Sequence, residues 1–78
     1  MMQIKILGGG CSNCKVLYNN VSLACKELGI EAEIIKVQEY IDIIKYDVMI
    51  TPALVINEKV VGKGKLKYKK VLELIKSE

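Results

Sequence analysis

Apolar residues recur along the chain with a spacing that changes from that of a strand to that of a helix. Met2–Leu7 is a short, largely apolar run and indicates a buried strand. Over residues 14–28 the apolar positions fall three or four apart, which predicts an amphipathic helix whose apolar face is Cys14, Leu17, Val21, Ala24, Cys25 and Leu28. Gly29 follows the last of these positions and predicts the end of the helix.

The middle of the chain predicts a second strand and a short helix. Residues 30–37 predict the strand, and Glu31 and Glu33 alternate with apolar residues as they would at the edge of a sheet. Residues 38–47 predict the helix. The apolar residues expected on its inner side are Ile41, Ile44 and Val48.

The last third of the chain predicts a hairpin and a closing helix. Strands are predicted at residues 53–57 and 59–62, and Asn57 and Glu58 form the tight turn between them. Residues 66–76 predict the helix, with an inner face made of Tyr68, Val71, Leu72 and Ile75.

The resulting order, β-α-β-α-β-β-α, predicts an α/β fold with a mixed four-stranded sheet flanked by helices. The strand–helix–strand start requires a parallel pair joined by a right-handed crossover, and the hairpin adds two antiparallel strands. A chain of 78 residues has room for one domain, which we expect to span residues 1–78.

The composition restricts the chemistry that this domain can perform. The chain has three cysteines and one proline but no histidine and no arginine. A nucleophile activated by histidine and a histidine-containing zinc site are therefore excluded. Three cysteines do not suit the disulfide framework of a small secreted domain, and no apolar run approaches the roughly 18 residues of a membrane span. We expect a cytoplasmic protein with no membrane partner.

Positive charge is concentrated near the C-terminus. Residues 1–58 carry five lysines and seven acidic residues, whereas residues 59–78 carry seven lysines and two acidic residues. Without arginine, and with Tyr68 as the one nearby aromatic residue, the lysines between Lys59 and Lys70 do not predict a nucleic-acid site. Two interpretations stay open for them: a solvated strand edge and helix start, or a surface that docks an acidic protein.

Cys11 and Cys14 give the clearest chemical signal. Their spacing places Cys11 at the N-terminus of the first predicted helix and Cys14 inside its first turn. The positive end of a helix dipole favours a thiolate, which is both the nucleophile and the leaving group of thiol–disulfide exchange. Cys11 is predicted to attack a substrate disulfide and Cys14 to resolve the mixed disulfide. This reaction needs no histidine, and we expect no cofactor.

The cysteine pair also permits other interpretations. A closed zinc site within one chain lacks ligands, but a metal shared across a dimer, or copper(I) held by two thiolates in a chaperone-like module, stays open. A copper metallochaperone has the order β-α-β-β-α-β, however, and ends in a strand. A buried pair without chemistry would not explain the preceding Gly8, Gly9 and Gly10, which indicate a turn or a close approach of the backbone.

Cys25 and Pro52 are the other two residues whose chemistry could bear on function. Cys25 lies about 16 Å beyond Cys14 along the helix, too far for a disulfide, and is predicted to be a core residue. From its position alone, Pro52 is expected to be a trans proline that opens a strand. A cis Thr51–Pro52 bond would instead expose backbone groups beside Cys11, where an extended substrate could pair with them.

Taken together, these features resemble the thioredoxin superfamily in its smallest form, the small thioredoxin-like redox-active disulfide proteins of glutaredoxin size. The likeness covers essentially the whole chain and rests on residues 2–6, 8–14, 27–30, 51–54 and 60–62.

The resemblance implies a cis Thr51–Pro52 peptide bond beside the cysteine pair, with Cys11 attacking and Cys14 resolving. It also predicts a substrate groove shaped by Gly10, Ser12, Asn13, Thr51, Pro52 and Gly62. Gly62 matches a position where a larger side chain would crowd the groove. The partners implied are disulfide-containing proteins and a reductase, and we expect a monomer.

The chain departs from larger members of the superfamily at several positions. Ser12 and Asn13 stand between the cysteines in place of Gly-Pro, Gly10 replaces a tryptophan, and residues 1–10 contain no acidic residue. Where glutaredoxins cap glutathione with a glycine pair and an acid, residues 62–65 offer lysines. Glutathione is therefore not expected as a partner.

Overall fold

The computed structural model describes residues 2–9, 12–48, 50–64 and 66–77, and its elements follow the predicted order. The strands are β1 (Met2–Leu7), β2 (Ala32–Val37), β3 (Ala53–Ile56) and β4 (Lys59–Lys63), and the helices are α1 (Ser12–Leu28), α2 (Tyr40–Ile44) and α3 (Tyr68–Lys76). The sheet order is β2-β1-β3-β4; β1 is parallel to β2, and the other two pairs are antiparallel. The predicted mixed sheet is confirmed, and β2 lies at its edge.

Apolar side chains cover both faces of the sheet. On one face, α1 and α3 enclose the larger core, formed by Ile4, Ile6, Leu17, Val21, Ala24, Cys25, Leu54, Ile56, Val71 and Ile75. On the other face, α2 and the segment after it cover a smaller core of Leu7, Ile43, Val48, Ala53 and Val55. Because β3 lies between these two layers, all four of its residues are buried and apolar.

Helix α1 has the apolar face that its sequence predicts. Its buried residues are Cys14, Leu17, Val21, Ala24 and Cys25. The helix ends at Gly29, whose φ of 66° lies in the left-handed region that glycine adopts without a Cβ clash. The core position of Cys25 is confirmed: it is a buried free cysteine, and burial raises the pKa of its thiol.

Helix α2 is shorter than its sequence predicts. It spans Tyr40–Ile44, whereas the prediction covered residues 38–47. The chain then continues in tight turns, closed by hydrogen bonds that the amides of Tyr46 and Asp47 donate three residues back. Asp47 has a φ of 60°, which ends any helical continuation. The other predicted element ends differ from the structure by two residues or fewer.

The inner face of α2 was predicted wrongly in part. Ile41 and Ile44 were expected to face inward, but they are 66% and 46% exposed. Ile43 is buried instead, and Val48 is buried as predicted. A helix of five residues makes about one and a half turns, so it presents a single residue to the sheet rather than a stripe.

The β3–β4 hairpin turns at Asn57 and Glu58, as predicted. Both residues have positive φ, 49° and 68°, which is the pair of left-handed residues that a type I′ turn requires. The amide of Asn57 donates to the carbonyl of Gln3 at 2.7 Å, and its Oδ1 accepts from the Gln3 amide at 3.0 Å. Glu58 lies 2.6 Å from the ammonium of Lys5, which also donates to the hydroxyl of Tyr46 at 2.8 Å. The turn is thereby attached to β1.

Glu58→Gln is expected to lower the melting temperature modestly at pH 7. The Lys5 ammonium lowers the pKa of Glu58 in the folded protein, so the folded state binds fewer protons than the unfolded state. The stabilisation is therefore present above the unfolded pKa of about 4.3 and is lost as the pH falls through the lower folded value. The effect is small because the Glu58 side chain is 60% exposed. Thermal unfolding at pH 7 and at a pH below the folded-state pKa of Glu58 measures the effect, and a deficit that persists at the lower pH would contradict the ion-pair explanation.

No helix in the four described ranges is long and apolar enough to cross a membrane.

Candidate functional site

Three segments of the chain meet where β1 ends. Gly8 directly follows β1 and is buried, and its amide donates to the carbonyl of Val37 at 2.9 Å, which extends the β1–β2 pairing by one residue. A Cβ on Gly8 would overlap the Sγ of Cys14 and would lie 3.8 Å from the Cα of Pro52. Because Gly8 has no side chain, the Cys14 sulfur and the Pro52 backbone can both approach the end of β1.

Cys14 points inward from the first turn of α1. It is 7% exposed, whereas its neighbours Ser12 and Asn13 are exposed. The first turn of α1 contains no acidic residue, so no carboxylate in that turn offsets the positive end of the helix dipole. This is an electrostatic setting that stabilises a nearby thiolate. Gly10 and Cys11 lie outside the described residues, and their roles stay predictions.

Thr51 and Pro52 form the opposite side of the site. Their peptide bond is cis, as the resemblance implied, and not trans, as position alone suggested. Pro52 is buried and Thr51 is exposed. The carbonyl of Pro52 accepts a hydrogen bond from the amide of Gly64 at 2.6 Å, which attaches this turn to the residue after β4. The end of β1, the start of β3 and the end of β4 therefore meet at one end of the sheet, where the site lies.

A small cavity of about 70 Å³ lies beside Cys14. Its walls are formed by Ile6, Gly8, Cys14, Lys15, Lys36 and Gln38. Lys36 is opposite Ile6 in the parallel β1–β2 register, and its ammonium lies 4.5 Å from the centre of the Tyr18 ring. The cavity has room for a few water molecules. The described side chains around it include two lysines and no carboxylate, so a thiolate at Cys14 would form beside cationic groups.

An apolar groove of about 290 Å³ adjoins the site on the side of α2. It is lined by Gly9, Gln38, Tyr40, Ile43, Val48 and Thr51. Tyr40 is 76% exposed, and Ile41 and Ile50, which follow Tyr40 and precede Thr51 in the chain, are 66% and 59% exposed. Exposed apolar surface of this kind is suited to contact with another polypeptide.

Gly62 borders the larger core. It pairs with Leu54 in the sheet, and a Cβ there would lie 2.7 Å from the Cδ1 of Leu66 and 3.3 Å from that of Leu74. The missing side chain therefore lets Leu74 of α3 and Leu66, two residues before the helix, pack on the sheet. These contacts belong to the larger core, and the groove contact predicted for Gly62 stays a prediction.

Two parts of the site were not predicted from the sequence. A run of glycines before a cysteine indicates that the backbone approaches another group closely. That signal does not distinguish Gly8 from the two glycines that follow it. Lys36 had no such signal. Its place beside the cavity depends on the exact register of β1 and β2, which the apolar pattern constrains only to alternate residues.

No metal site is formed by residues 2–9, 12–48, 50–64 and 66–77. In these ranges no group of three or more cysteine or acidic side chains could hold a metal ion. The two described cysteines, Cys14 and Cys25, are eleven residues apart along α1, or about 16 Å, and cannot bind one ion together.

Comparison with known proteins agrees with the fold. A family model described as a thioredoxin domain matches residues 2–76. The thioredoxin of Methanocaldococcus jannaschii is 41% identical over 66 residues, which cover 85% of this chain and 76% of that protein. The thioredoxin of Methanothermobacter thermautotrophicus is 36% identical over 77 residues, 99% of this chain and 100% of that protein.

Among solved structures, the chain is similar to thioredoxin 1 from the thermophilic eubacterium Thermosipho africanus. The TM-score is 0.62, and the match covers 96% of this chain and 91% of the other. The sequence identity is 21%, so this likeness shows a shared fold and no more.

Proposed function

Because the chain belongs to the thioredoxin family of thiol–disulfide oxidoreductases, we propose that it reduces protein disulfides with a redox-active pair formed by Cys11 and Cys14. The observation that carries the proposal is the meeting of Gly8, Cys14 and Pro52 at the N-terminal end of α1. The Cys14 sulfur is buried, Gly8 has no side chain to keep it away, and Thr51 is exposed beside Pro52. Together these features suit the resolving half of such a pair.

The proposed reaction has two exchange steps. The Cys11 thiolate attacks one sulfur of a substrate disulfide, which forms a mixed disulfide and releases the first substrate thiolate. The Cys14 thiol then loses its proton and attacks the Cys11 sulfur, which forms the Cys11–Cys14 bond and releases the second substrate thiolate. Two electrons pass from the protein to the substrate, and the two substrate thiolates take up protons. A reductase, or another dithiol, returns two electrons to the protein.

The described residues support different parts of this reaction. Cys14 is 7% exposed, so it is poorly placed to meet an external disulfide and better placed to attack a sulfur already held at the site. Thr51 is exposed beside buried Pro52, and its backbone offers a place for an extended substrate segment. We infer that Gly10, Ser12 and Asn13 border the same groove.

A redox titration of the wild-type protein tests the proposal. The protein is equilibrated in mixtures of reduced and oxidised dithiothreitol, denatured in acid and labelled with a maleimide whose mass counts free thiols. We expect one two-electron transition, in which the count falls from three thiols to one. Cys25→Ser is the matched control and should show the same midpoint, because Cys25 is buried in the core.

Three thiols at every potential, or a transition that Cys25→Ser removes, would contradict the proposal. The copper(I) alternative demands a different result: stoichiometric, tight binding of copper(I) by the reduced protein, lost in Cys14→Ser. Copper binding of that kind without a two-electron transition would favour the metal interpretation.

A further inference from the structure

Lysines gather where β4 leads into α3. We call Lys63, Lys67, Lys69 and Lys70 the basic junction, and all four are exposed. Lys65 belongs to the same stretch but lies outside the described residues. Residues 59–72 contain no acidic residue, so the chain places no carboxylate within this segment.

No described residue forms an ion pair with the lysines of the basic junction. In the described part of the chain, the ion pairs are Lys5 with Glu58 and Lys45 with Asp42, and neither includes a lysine of the basic junction. Glu73 follows Lys69 and Lys70 by about one helical turn, yet it forms no ion pair with them among the described residues. Like charges on neighbouring residues repel one another, because salt screens exposed charges fully only beyond a Debye length of about 8–10 Å.

The positions of these lysines also oppose the stability of α3. Lys67 is the N-cap residue and makes no capping hydrogen bond with its side chain. Lys69 and Lys70 lie in the first turn, which contains no acidic residue. Positive charge at a helix N-terminus is unfavourable, because the helix dipole is positive there. A departure from a local stability rule that brings no compensating contact inside the protein indicates a function outside it.

The basic junction borders the candidate site at its Lys63 end. Gly64, which lies within it, donates its amide to the carbonyl of Pro52 at 2.6 Å, and Lys63 pairs with Ala53 in the sheet. A Cβ on Gly8 would lie 3.8 Å from Pro52 and would overlap the Cys14 sulfur. A molecule whose disulfide is held beside Pro52 would therefore extend toward the basic junction.

We propose that the basic junction docks an acidic protein surface on the redox partner and selects partners whose disulfide is flanked by Asp and Glu. This inference rests on the proposed function. Complementary charge speeds the encounter of two proteins and discriminates against partners of the wrong sign. Nucleic acid is a poorer fit, because the chain has no arginine and Tyr68, the aromatic residue of this segment, is half-buried against the core.

Two synthetic peptides test the proposal. Both contain the same disulfide loop, flanked either by glutamates or by glutamines, and prereduced protein reduces each under single-turnover conditions. At low ionic strength we expect the glutamate peptide to react about tenfold faster, with the difference falling as salt is added. The neutral compound 2-hydroxyethyl disulfide reports the chemistry without docking.

The variants are matched in charge. Lys67→Gln/Lys69→Gln/Lys70→Gln removes three positive charges at the basic junction, and Lys26→Gln/Lys45→Gln/Lys76→Gln removes three elsewhere. The first is expected to lose most of the preference for the glutamate peptide and the second to retain it. The first should melt at the same temperature or higher, because it relieves the unfavourable charge at the start of α3.

Binding is also measured without chemistry, by the fluorescence anisotropy of the same peptides with serine in place of cysteine. Equal binding of both serine peptides, or equal loss in the two triple variants, would overturn docking. Failure to reduce 2-hydroxyethyl disulfide would overturn the proposed function instead. If Lys67→Gln/Lys69→Gln/Lys70→Gln loses binding of a short single-stranded RNA but not of the glutamate peptide, the surface binds nucleic acid and the proposal is wrong.

Discussion

Cys14→Ser is expected to stop the exchange reaction at the mixed disulfide. The reagent is dithiobis(nitrobenzoate), the disulfide dimer of thionitrobenzoate. Reduced wild-type protein should release about two equivalents of thionitrobenzoate from it, one when Cys11 attacks and one when Cys14 resolves the mixed disulfide. Cys14→Ser should release about one equivalent and retain the other as a covalent adduct visible by mass spectrometry. The second step is lost because a serine hydroxyl cannot displace a thiolate from a disulfide.

Cys11→Ser distinguishes the two cysteine roles. The remaining thiol of the pair, Cys14, is 7% exposed and packed against Gly8, so its reaction with an external disulfide should be at least about 100-fold slower than that of Cys14→Ser. Cys25→Ser should react like the wild type. If Cys11→Ser reacts as fast as Cys14→Ser, the assignment of attacking and resolving thiols is wrong. If Cys11→Ser is the slower variant, incubation of Cys14→Ser with a cell extract would identify substrates by their mixed disulfides.

Gly8→Ala is expected to destabilise the protein by about 1–3 kcal/mol and to slow disulfide reduction. The added Cβ would overlap the Cys14 sulfur, which is buried in the first turn of α1. Either the sulfur leaves its position or β1 shifts away from α1, and both changes disturb the site. Urea unfolding measures the first effect, and the rate of disulfide reduction measures the second.

Gly9→Ala is the matched control for Gly8→Ala. A Cβ on Gly9 would meet nothing within 4 Å, so this variant should change the free energy of unfolding by less than about 0.5 kcal/mol. Alanine also lowers the conformational entropy of the unfolded chain, so a small gain in stability is equally consistent. Adding Cys14→Ala to Gly8→Ala should remove most of the penalty, because the overlapping sulfur is gone. A penalty that is unchanged in the double variant, or equal in Gly9→Ala, would contradict the steric explanation.

The elements that the sequence predicted well are those with a long or strongly marked pattern. The 17-residue helix α1 has its apolar face, its end at Gly29 and the buried Cys25 as predicted. The Asn57–Glu58 turn is equally local, since it depends on residues that tolerate positive φ. Helix α2 was predicted less well, because a segment of five residues is too short for the helical period to show which isoleucine faces the sheet.

The candidate site was predictable only in its chemistry. Cys14 and Pro52 could be selected because cysteine and proline have distinctive properties, and the resemblance to a known superfamily indicated that they lie together. Gly8 could not be selected from its neighbours Gly9 and Gly10, since three glycines are equivalent until the Cys14 sulfur is placed against one of them. Lys36 is 22 residues from Cys14 in the chain, and only the pairing of β1 with β2 brings it to the cavity.

The order of the elements, the α/β class of the fold and a cysteine in the first turn of a helix therefore follow from the sequence alone. Apolar periodicity and residue chemistry are local properties, so they are visible in the sequence itself. The tertiary structure decided which glycine admits the Cys14 sulfur, which isoleucine of α2 is buried and which lysines stand beside the site. Those are distances between residues far apart in the chain, and they are fixed only when strand register and helix packing bring the segments together.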